Sequence, residues 1–421
     1  MSLLTKIGSF QISTGAAGTV QSISGIGFTP KFIKFWWNGR TDAVNAVGNS
    51  NHFFGMGVAV NAAVSYPNYC ITTKSQTAVS PSNNSNDANE GQCIMTIDAA
   101  ANTEDGSANV SAYNSNGFDI TIANQFSAGI TVHYMVYGGS DITNLETLVT
   151  TEPAAVGTVN MNFGFSPDFL LSVANPSGLI TALIANDSRM CIGAATFRGG
   201  AIQQFVWSSG ANDGVGTTDT EGYNRFDQFI AHIDTNFAGG LTGKANISAK
   251  AGSQVTLNWG TVSGGANREH IVLAVKGGNW RVGNFDTVTA GNNITVSAIG
   301  FRPRGVMFYS TTKGQTADGV TDTPDERVQG GFDMFGSQRS LTIEDSTGLA
   351  TSRISTAIQF DSVFASTNGA AGPAIDSRIT FTSVQNSGFT LAQPTSDGAG
   401  RDVYYIAAGN NAASRNLVPW M

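Results

Sequence analysis

The side chains best suited to chemistry are scattered. The four histidines, His52, His133, His232 and His270, fall one at a time along 421 residues. None lies beside a serine or cysteine in a nucleophile motif. GxSxG, HExxH, a phosphate-binding loop and a dinucleotide-binding glycine fingerprint are all missing. Paired carboxylates of the glycosidase kind leave no trace in a sequence with 30 acidic residues, because their pairing is spatial. A protein without catalytic activity and without a cofactor is expected.

Metal and redox chemistry fare no better. Cys70, Cys93 and Cys191 form no CxxC pair and are odd in number, so buried free thiols are expected, with Cys70 facing Cys93 across neighbouring strands as the alternative. In Thr316–Glu326, Asp318, Asp322, Asp325 and Glu326 are oxygen donors of the type calcium prefers. Their spacing is not that of a calcium loop with glycine at its sixth position. A solvated turn is the default there, and again for the loop from Asn212 to Gly222 with Asp213, Asp219 and Glu221. No metal is expected. Trp36 and Trp37 are adjacent, so on a strand they face opposite sides, and one could meet a sugar or a protein partner while the other fills a core. Trp207 and Trp259 are further candidates for such contact. Core is the default for these rings.

The element that would position all of these is a repeat. Gly27-Phe28-Thr29-Pro30 returns as Gly164-Phe165-Ser166-Pro167 and as Gly300-Phe301-Arg302-Pro303, with the prolines 137 and 136 residues apart. Each copy enters an apolar run: Phe32 to Trp37, Phe169 to Val173, Gly305 to Tyr309. Proline cannot donate to a ladder, so a Gly-aromatic-x-Pro corner feeding a buried strand is the physical reading. Alternating stretches such as Val20-Gln21-Ser22-Ile23, separated by turn signals every 8 to 15 residues, describe a sandwich. The expected fold is all-β: three tandem β-sandwich domains, of jelly-roll or lectin-like type, at 1–141, 145–278 and 281–410, with a C-terminal tail at 411–421. The second is the divergent copy, lacking the opening Gly-x-Phe of Gly8-Ser9-Phe10 and Gly283-Asn284-Phe285. Asp141–Thr147 and Asn279-Trp280 read as short connectors, and Ser82–Gly91 as a polar loop.

Composition narrows function by exclusion. Charged residues are 12% of the chain, below the ~25% of ordinary soluble domains. Fifty glycines and frequent Ser, Thr and Asn go with turns and a bland surface suited to packing in an assembly. A net charge of −8 without a Lys/Arg cluster argues against nucleic acid as a partner. MSLLTKIGSFQ lacks the apolar region of a secretion signal, and no run approaches ~18 apolar residues. Synthesis in a cytoplasm without membrane insertion is therefore expected.

Lys6-Ile7-Gly8-Ser9-Phe10, Thr14-Gly15, Ile23 through Lys31 with Phe35-Trp36, and the close at His133-Tyr134 through Gly138-Gly139-Ser140-Asp141 together resemble a repeat of tailed-bacteriophage virion proteins. The order of Phe-x-Pro strand, Gly-Phe turn and final aromatic strand is also similar to H-type lectin domains. The first resemblance implies a structural protein of the virion, in the tail, baseplate or fibre region or decorating the capsid, with other virion proteins as partners. The second implies a sandwich that trimerises and binds sugar, hence a host-surface glycan as a further partner. No sugar-contact residue carries over from it.

Overall fold

A computed structural model describes residues 2–49, 51–176, 178, 186–234, 240–264, 268–312, 321–322 and 325–410. Among them every regular element is a strand, apart from one 3-10 turn at Arg198–Gly200, and the strands form six antiparallel sheets. The all-β expectation holds. Setting aside two short strands, Ala46–Asn49 and Thr321–Asp322, ten strands recur in each of three successive stretches of chain. Numbered 1 to 10 within a stretch, they pair as 1-10-3-4-5-6 in a large sheet and 2-9-8-7 in a small one, each time in the same order. These stretches, here units one to three, run from Leu4–Gln11 to Thr131–Gly138, from Ile142–Thr151 to Glu269–Gly277, and from Asn279–Asp286 to Asp402–Gly409.

Two readings of the sequence are corrected here. The supposed connectors are the first strands of the next units: Ile142 pairs with Gly277 and Asn279 with Gly409, so unit two starts at Ile142 rather than 145. The supposed polar loop 82–91 contains the buried strand Asn84–Asn89. Two of its side chains donate to unit two, Asn84 Nδ2 to Asn212 O at 2.6 Å and Asn86 Nδ2 to Asp187 O at 2.8 Å. Burial by a neighbouring unit is invisible to local polarity.

Strand composition follows from the layering. Small-sheet strands bury one face and alternate, as in Gln254–Thr261 with its buried Val255, Leu257 and Trp259. Large-sheet strands are covered on both faces, and Pro30–Trp37 reads as a nearly unbroken buried run. One face packs on the unit's own small sheet. There the sheets approach so closely that a Cβ on Gly57, Gly193 or Gly330 would lie 1.7, 1.9 or 2.0 Å from the carbonyl oxygen of Cys93, Phe229 or Val363. The other face of all three large sheets joins one shared core, which holds Phe32, Trp36 and Met56 with Phe169, Leu171 and Trp207 and with Trp280, Met307 and Tyr404.

Ring contacts stitch this core across units. Trp280 of unit three stacks on Phe169 of unit two, with centroids 4.4 Å apart, and lies 5.5 Å from Tyr137 of unit one. Phe205 stacks on Tyr404 at 5.1 Å, and Phe54 meets Trp207 at 5.8 Å. Each such pair contributes about 0.5–1.5 kcal/mol beyond its area burial. At one end of the core three hairpin tips lace together by reciprocal backbone hydrogen bonds. Gly214 N and Ser82 O are 2.9 Å apart, as are Ser82 N and Val215 O; Thr218 exchanges bonds of 2.8 and 2.7 Å with Leu349 and Gly348; Ser352 exchanges bonds of 3.0 and 2.8 Å with Val79 and Ala78.

Strands also cross between units. Ala46–Asn49 leaves unit one and pairs with Ile354–Gln359 at the edge of unit three's large sheet, while Thr321–Asp322 of unit three pairs with Thr220–Phe226 at the edge of unit two's. Asn38 anchors the first crossing, its Nδ2 donating to Thr342 O at 3.2 Å and Ala357 O at 2.8 Å.

One position in the shared core breaks the apolar rule. Four residues after each corner proline stand Lys34, Leu171 and Met307, and Lys34 is 1% exposed. Among the described residues its Nζ meets the Met56 sulfur, at 3.0 Å, and the faces of Tyr309 and Trp36, at 5.0 and 5.8 Å from their centroids. Burial holds the amine well below the usual lysine range. A lysine whose folded pKa is depressed costs stability as pH falls from its unfolded pKa of about 10.4. Lys34→Met, which installs the residue found at 307, is therefore expected to stabilise by about 1–3 kcal/mol at pH 7, the gain shrinking toward pH 10. Urea midpoints unchanged at pH 7 would contradict this.

Candidate functional site

The corners are joints between units. Pro30 and Pro303 are the first residues of their strands, and Gly27 and Gly300 adopt φ of 85° and 82°. In unit two, Pro167 precedes Phe169–Ala174 by two residues, and Gly164 N instead donates to Glu146 Oε2 at 2.6 Å. Onto the third corner docks the hairpin after strand Ser188–Thr196. Arg198 donates to Ile299 O at 2.8 Å and to Gly300 O at 3.0 Å, and its guanidinium lies 5.1 Å from the Phe301 ring centre. Onto the first corner docks the hairpin of unit three bearing Met334 and Phe335, which lines a groove of about 270 Å³ with Leu3, Leu4, Ile26 and Phe28. A more polar groove of about 360 Å³, lined by Asp141, Asp168, Arg198, Lys276 and Asn279, marks the joint of units two and three. At the third joint, hairpin 61–67 of unit one reaches unit two, where Tyr66 N donates to Thr147 Oγ1 at 2.9 Å and Val64 and Tyr66 pack on the shared core.

The tryptophans proposed to touch a sugar or partner do not reach solvent. Trp36, Trp37 and Trp207 are 0% exposed and Trp259 is 1%. Trp36 and Trp207 face the shared core, Trp37 and Trp259 the cores of their own sandwiches. Both sides of the large sheet are interior, so adjacency on a strand gave neither ring a wet face.

Chemistry-bearing side chains do gather in unit two. His232 and His270, 38 residues apart in sequence, face each other with Nε2 atoms 2.9 Å apart. His270 Nδ1 lies 3.5 Å from Ser172 Oγ, and His232 Nδ1 lies 3.4 Å from Glu152 Oε2 and 3.1 Å from Arg268 Nη1. Arg268 in turn donates to Thr242 Oγ1 at 2.8 Å. One proton arrangement links the chain: Ser172 O–H donates to His270 and His270 N–H to His232, whose other N–H then faces the Glu152 carboxylate. The reverse polarity, with Arg268 donating to His232 Nδ1, also links the two rings and Ser172 but leaves His232 no proton to give Glu152. The order Ser-His-His-Glu is that of a nucleophile, base and orienting acid. Ser172, His232 and His270 are however all 0% exposed, and Trp259 covers both rings at 5.9 and 6.2 Å. No substrate reaches Ser172 in this arrangement.

Burial, with Arg268 and Arg189 adding repulsion against the pull of Glu152, pushes His232 down to about 4. His270 is held well below the ordinary range by burial and by its neighbour. In unit one His133, 2.8 Å from Ser9 Oγ and buried against Trp36 and Phe360, is pushed down to about 3 by burial and Arg339. The side chain of His52 lies outside the described residues. Sequence spacing could not pair His232 with His270. The available signal was each one's place inside an apolar strand, where a histidine needs a partner.

No family model and no curated protein sequence matches the chain.

Among the described residues no group of three or more His, Cys, Asp or Glu could hold a metal ion. Asp318 and the side chains of Asp322 and Asp325 lie outside the described residues, as does tail 411–421. Glu326 is buried against Arg401, Nη1 to Oε2 2.5 Å. The acidic loop of unit two is not a solvated turn: Asp213 Oδ1 accepts from Asn84 N at 2.6 Å, and Glu221 is 2% exposed. All three cysteines are free and buried. Burial pushes the Cys93 and Cys191 thiols up to about 12.

Two outcomes follow from these histidines. Neutral in the fold and protonated when unfolded, they leave stability intact above about pH 6.5 and remove it as pH falls toward 4, by on the order of 3 kcal/mol for His232. Denaturation midpoints that stay level from pH 7 to 4.5 would contradict this. A fluorophosphonate probe is expected to leave the folded chain unmodified; labelling abolished by Ser172→Ala would show that the serine is reachable.

Proposed function

We propose that the chain is a non-enzymatic structural subunit of a bacteriophage virion, placed in the tail, baseplate or fibre region. Its partners are other virion proteins. The observation that carries this reading is the shared core: one chain closes three sandwiches of like topology around it, giving a body that fits a threefold or sixfold position while presenting three non-identical faces. The resemblance of the corner and closing strings to virion repeats supports it, as does the low charge of the chain. Capsid decoration uses the same properties and is the alternative placement. Mass spectrometry and cryo-microscopy of purified particles test both. The expected result is the chain in the particle, with three-lobed density on a symmetry axis. A soluble protein absent from purified virions would overturn the proposal.

A second reading is host-glycan attachment, resting on the outer face of unit two's small sheet. There Thr158, Asn160, Asn162 and Asn258 are exposed, beside Gln254 and Thr256. Thr256 Oγ1 donates to Asn160 Oδ1 at 2.8 Å and Gln254 Nε2 to Asn162 Oδ1 at 2.9 Å, giving an uncharged row of donors and acceptors. Glycan-array binding lost in Asn160→Ala with Asn258→Ala would support it. Silence across host polysaccharides would remove it.

A further inference from the structure

The three joints are alike in topology and unlike in filling. At each, the hairpin joining strands 4 and 5 of one unit lies against the start of the next unit, unit three closing back on unit one. Between units one and two, Val64 and Tyr66 of this hairpin pack on the shared core, and Tyr66 N donates to Thr147 Oγ1. Between units two and three, Arg198 reaches Ile299 O and Gly300 O and lies on the Phe301 ring. Between units three and one the hairpin is shorter, residues 334–337 against 61–67 in unit one. It leaves the groove of about 270 Å³ lined by Leu3, Leu4, Ile26, Phe28, Met334 and Phe335, and Phe335 is 75% exposed. Among the described residues it is the one aromatic ring of the exposed large hydrophobics, the others being Val20, Val44 and Val156. An aromatic ring left in water beside an apolar groove marks a contact surface.

The charges at this groove have one sign. Lys6 and Arg304 complete its lining with Thr5 and Gly27, and among the described residues no carboxylate lines it. Asp333 lies 3.9 Å from Lys6 Nζ but is 0% exposed, and its oxygens accept from Phe335 N at 3.0 Å, Ser337 N at 3.2 Å and Ile7 N at 3.3 Å. It shapes the hairpin from inside and is out of a partner's reach. Exposed Arg302 adds a further positive charge nearby: burial and then Arg302 hold the Arg304 guanidinium below its ordinary value, with Asp141 pulling the other way. In a chain of net charge −8, an apolar groove is thus rimmed by cations. Thr5 Oγ1 is committed to Arg304 O at 2.6 Å, so the groove lacks the convergent hydroxyls and amides that would orient a sugar.

Apolar lining and cationic rim together choose the occupant. A second copy set against this face about a twofold axis would bring Lys6 and Arg304 toward their own duplicates, and like charges so placed oppose association. An apolar segment that carries carboxylates meets the same face with both effects favourable. We propose that the groove between units three and one is the docking site for a peptide segment of a different protein, apolar or aromatic where it enters the groove and flanked by Asp or Glu. Its side chains cover Phe335 as Val64 and Tyr66 cover the corresponding joint, and its carboxylates reach Arg304 and Lys6. The proposal fixes the chemistry of the partner and stands whether or not that protein belongs to a virion.

A library of random peptides displayed on yeast, panned against the full-length chain and counter-selected against Phe335→Ala, tests site and occupant together. The Phe335 ring stands in water, so its removal leaves the fold intact, which an unchanged melting temperature verifies. The expected winners combine Asp or Glu with Leu, Ile, Phe, Tyr or Trp. Made as free fluorescent peptides, they are expected to bind Phe335→Ala about tenfold more weakly than the parent chain. Arg304→Gln is expected to weaken them several-fold, and added salt to weaken them further. No enrichment, enrichment of basic or uncharged sequences, or equal affinity for the parent chain and Phe335→Ala would overturn the proposal. So would dimerisation of the chain alone that Phe335→Ala abolishes, which gives the groove to a second copy, or binding of hyaluronate that the same change abolishes, which gives it to an acidic glycan.

Discussion

Every large sheet in this protein has two apolar faces and only one small sheet of its own to cover them. That mismatch is the constraint on which the rest depends. A sandwich with its second large-sheet face wet would expose rings such as Trp36, Trp207 or Tyr404, far beyond what a soluble surface tolerates. Three such faces turned inward solve the problem at once, and each unit supplies the solvent shield of the other two. The polar strand Asn84–Asn89, the laced hairpin tips and the edge strands that cross between units are consequences of that closure, because they lie where sheets of different units meet.

The interior closure also decides what the outside looks like. With most aromatic and long aliphatic side chains committed to the cores, the outer rows of the small sheets are rich in Thr, Asn, Gln and Ser, with a few charges such as Asp119, Lys244 and Arg378. The three units differ most at the joints, where the corners meet hairpins of different length. The buried Ser-His-His-Glu chain belongs to the same logic. It satisfies inward-facing polar atoms between the two sheets of unit two, where an unpaired imidazole would be costly.

Much of the fold was legible because its signals are local. Alternation marks the small-sheet strands, and the corner prolines fall at or just before the start of strand 3. The divergence of unit two also has a physical meaning. In units one and three the opening glycine lets a tyrosine cross it: a Cβ on Gly8 would sit 2.3 Å from the Tyr134 hydroxyl oxygen, and one on Gly283 2.4 Å from that of Tyr405. In unit two the matching pair is Leu148 with Val272, a larger residue opposite a smaller one. What could not be read is whatever depends on a distant unit. Trp36 and Trp37 both proved interior because sheets from all three units bury the far face, a fact no window around residue 36 contains. His232 and His270 likewise meet across two sheets. The segments 84–89 and 142–147 looked like loop and linker because their hydrogen-bond partners come from elsewhere in the chain.

The crossing strand Ala46–Asn49 carries a consequence for the order of events on the ribosome. Its acceptor, Ile354–Gln359, is synthesised roughly 300 residues later, which at about 5–20 residues per second means a wait of about 15–60 seconds. Through that interval the donor has no native partner, and the first sandwich, though its own two sheets can pair, still lacks cover for one side. Completion of the molecule is therefore tied to emergence of its last third, and a chain stalled before that point would present an unpaired strand and an uncovered sheet to chaperones or to other nascent copies.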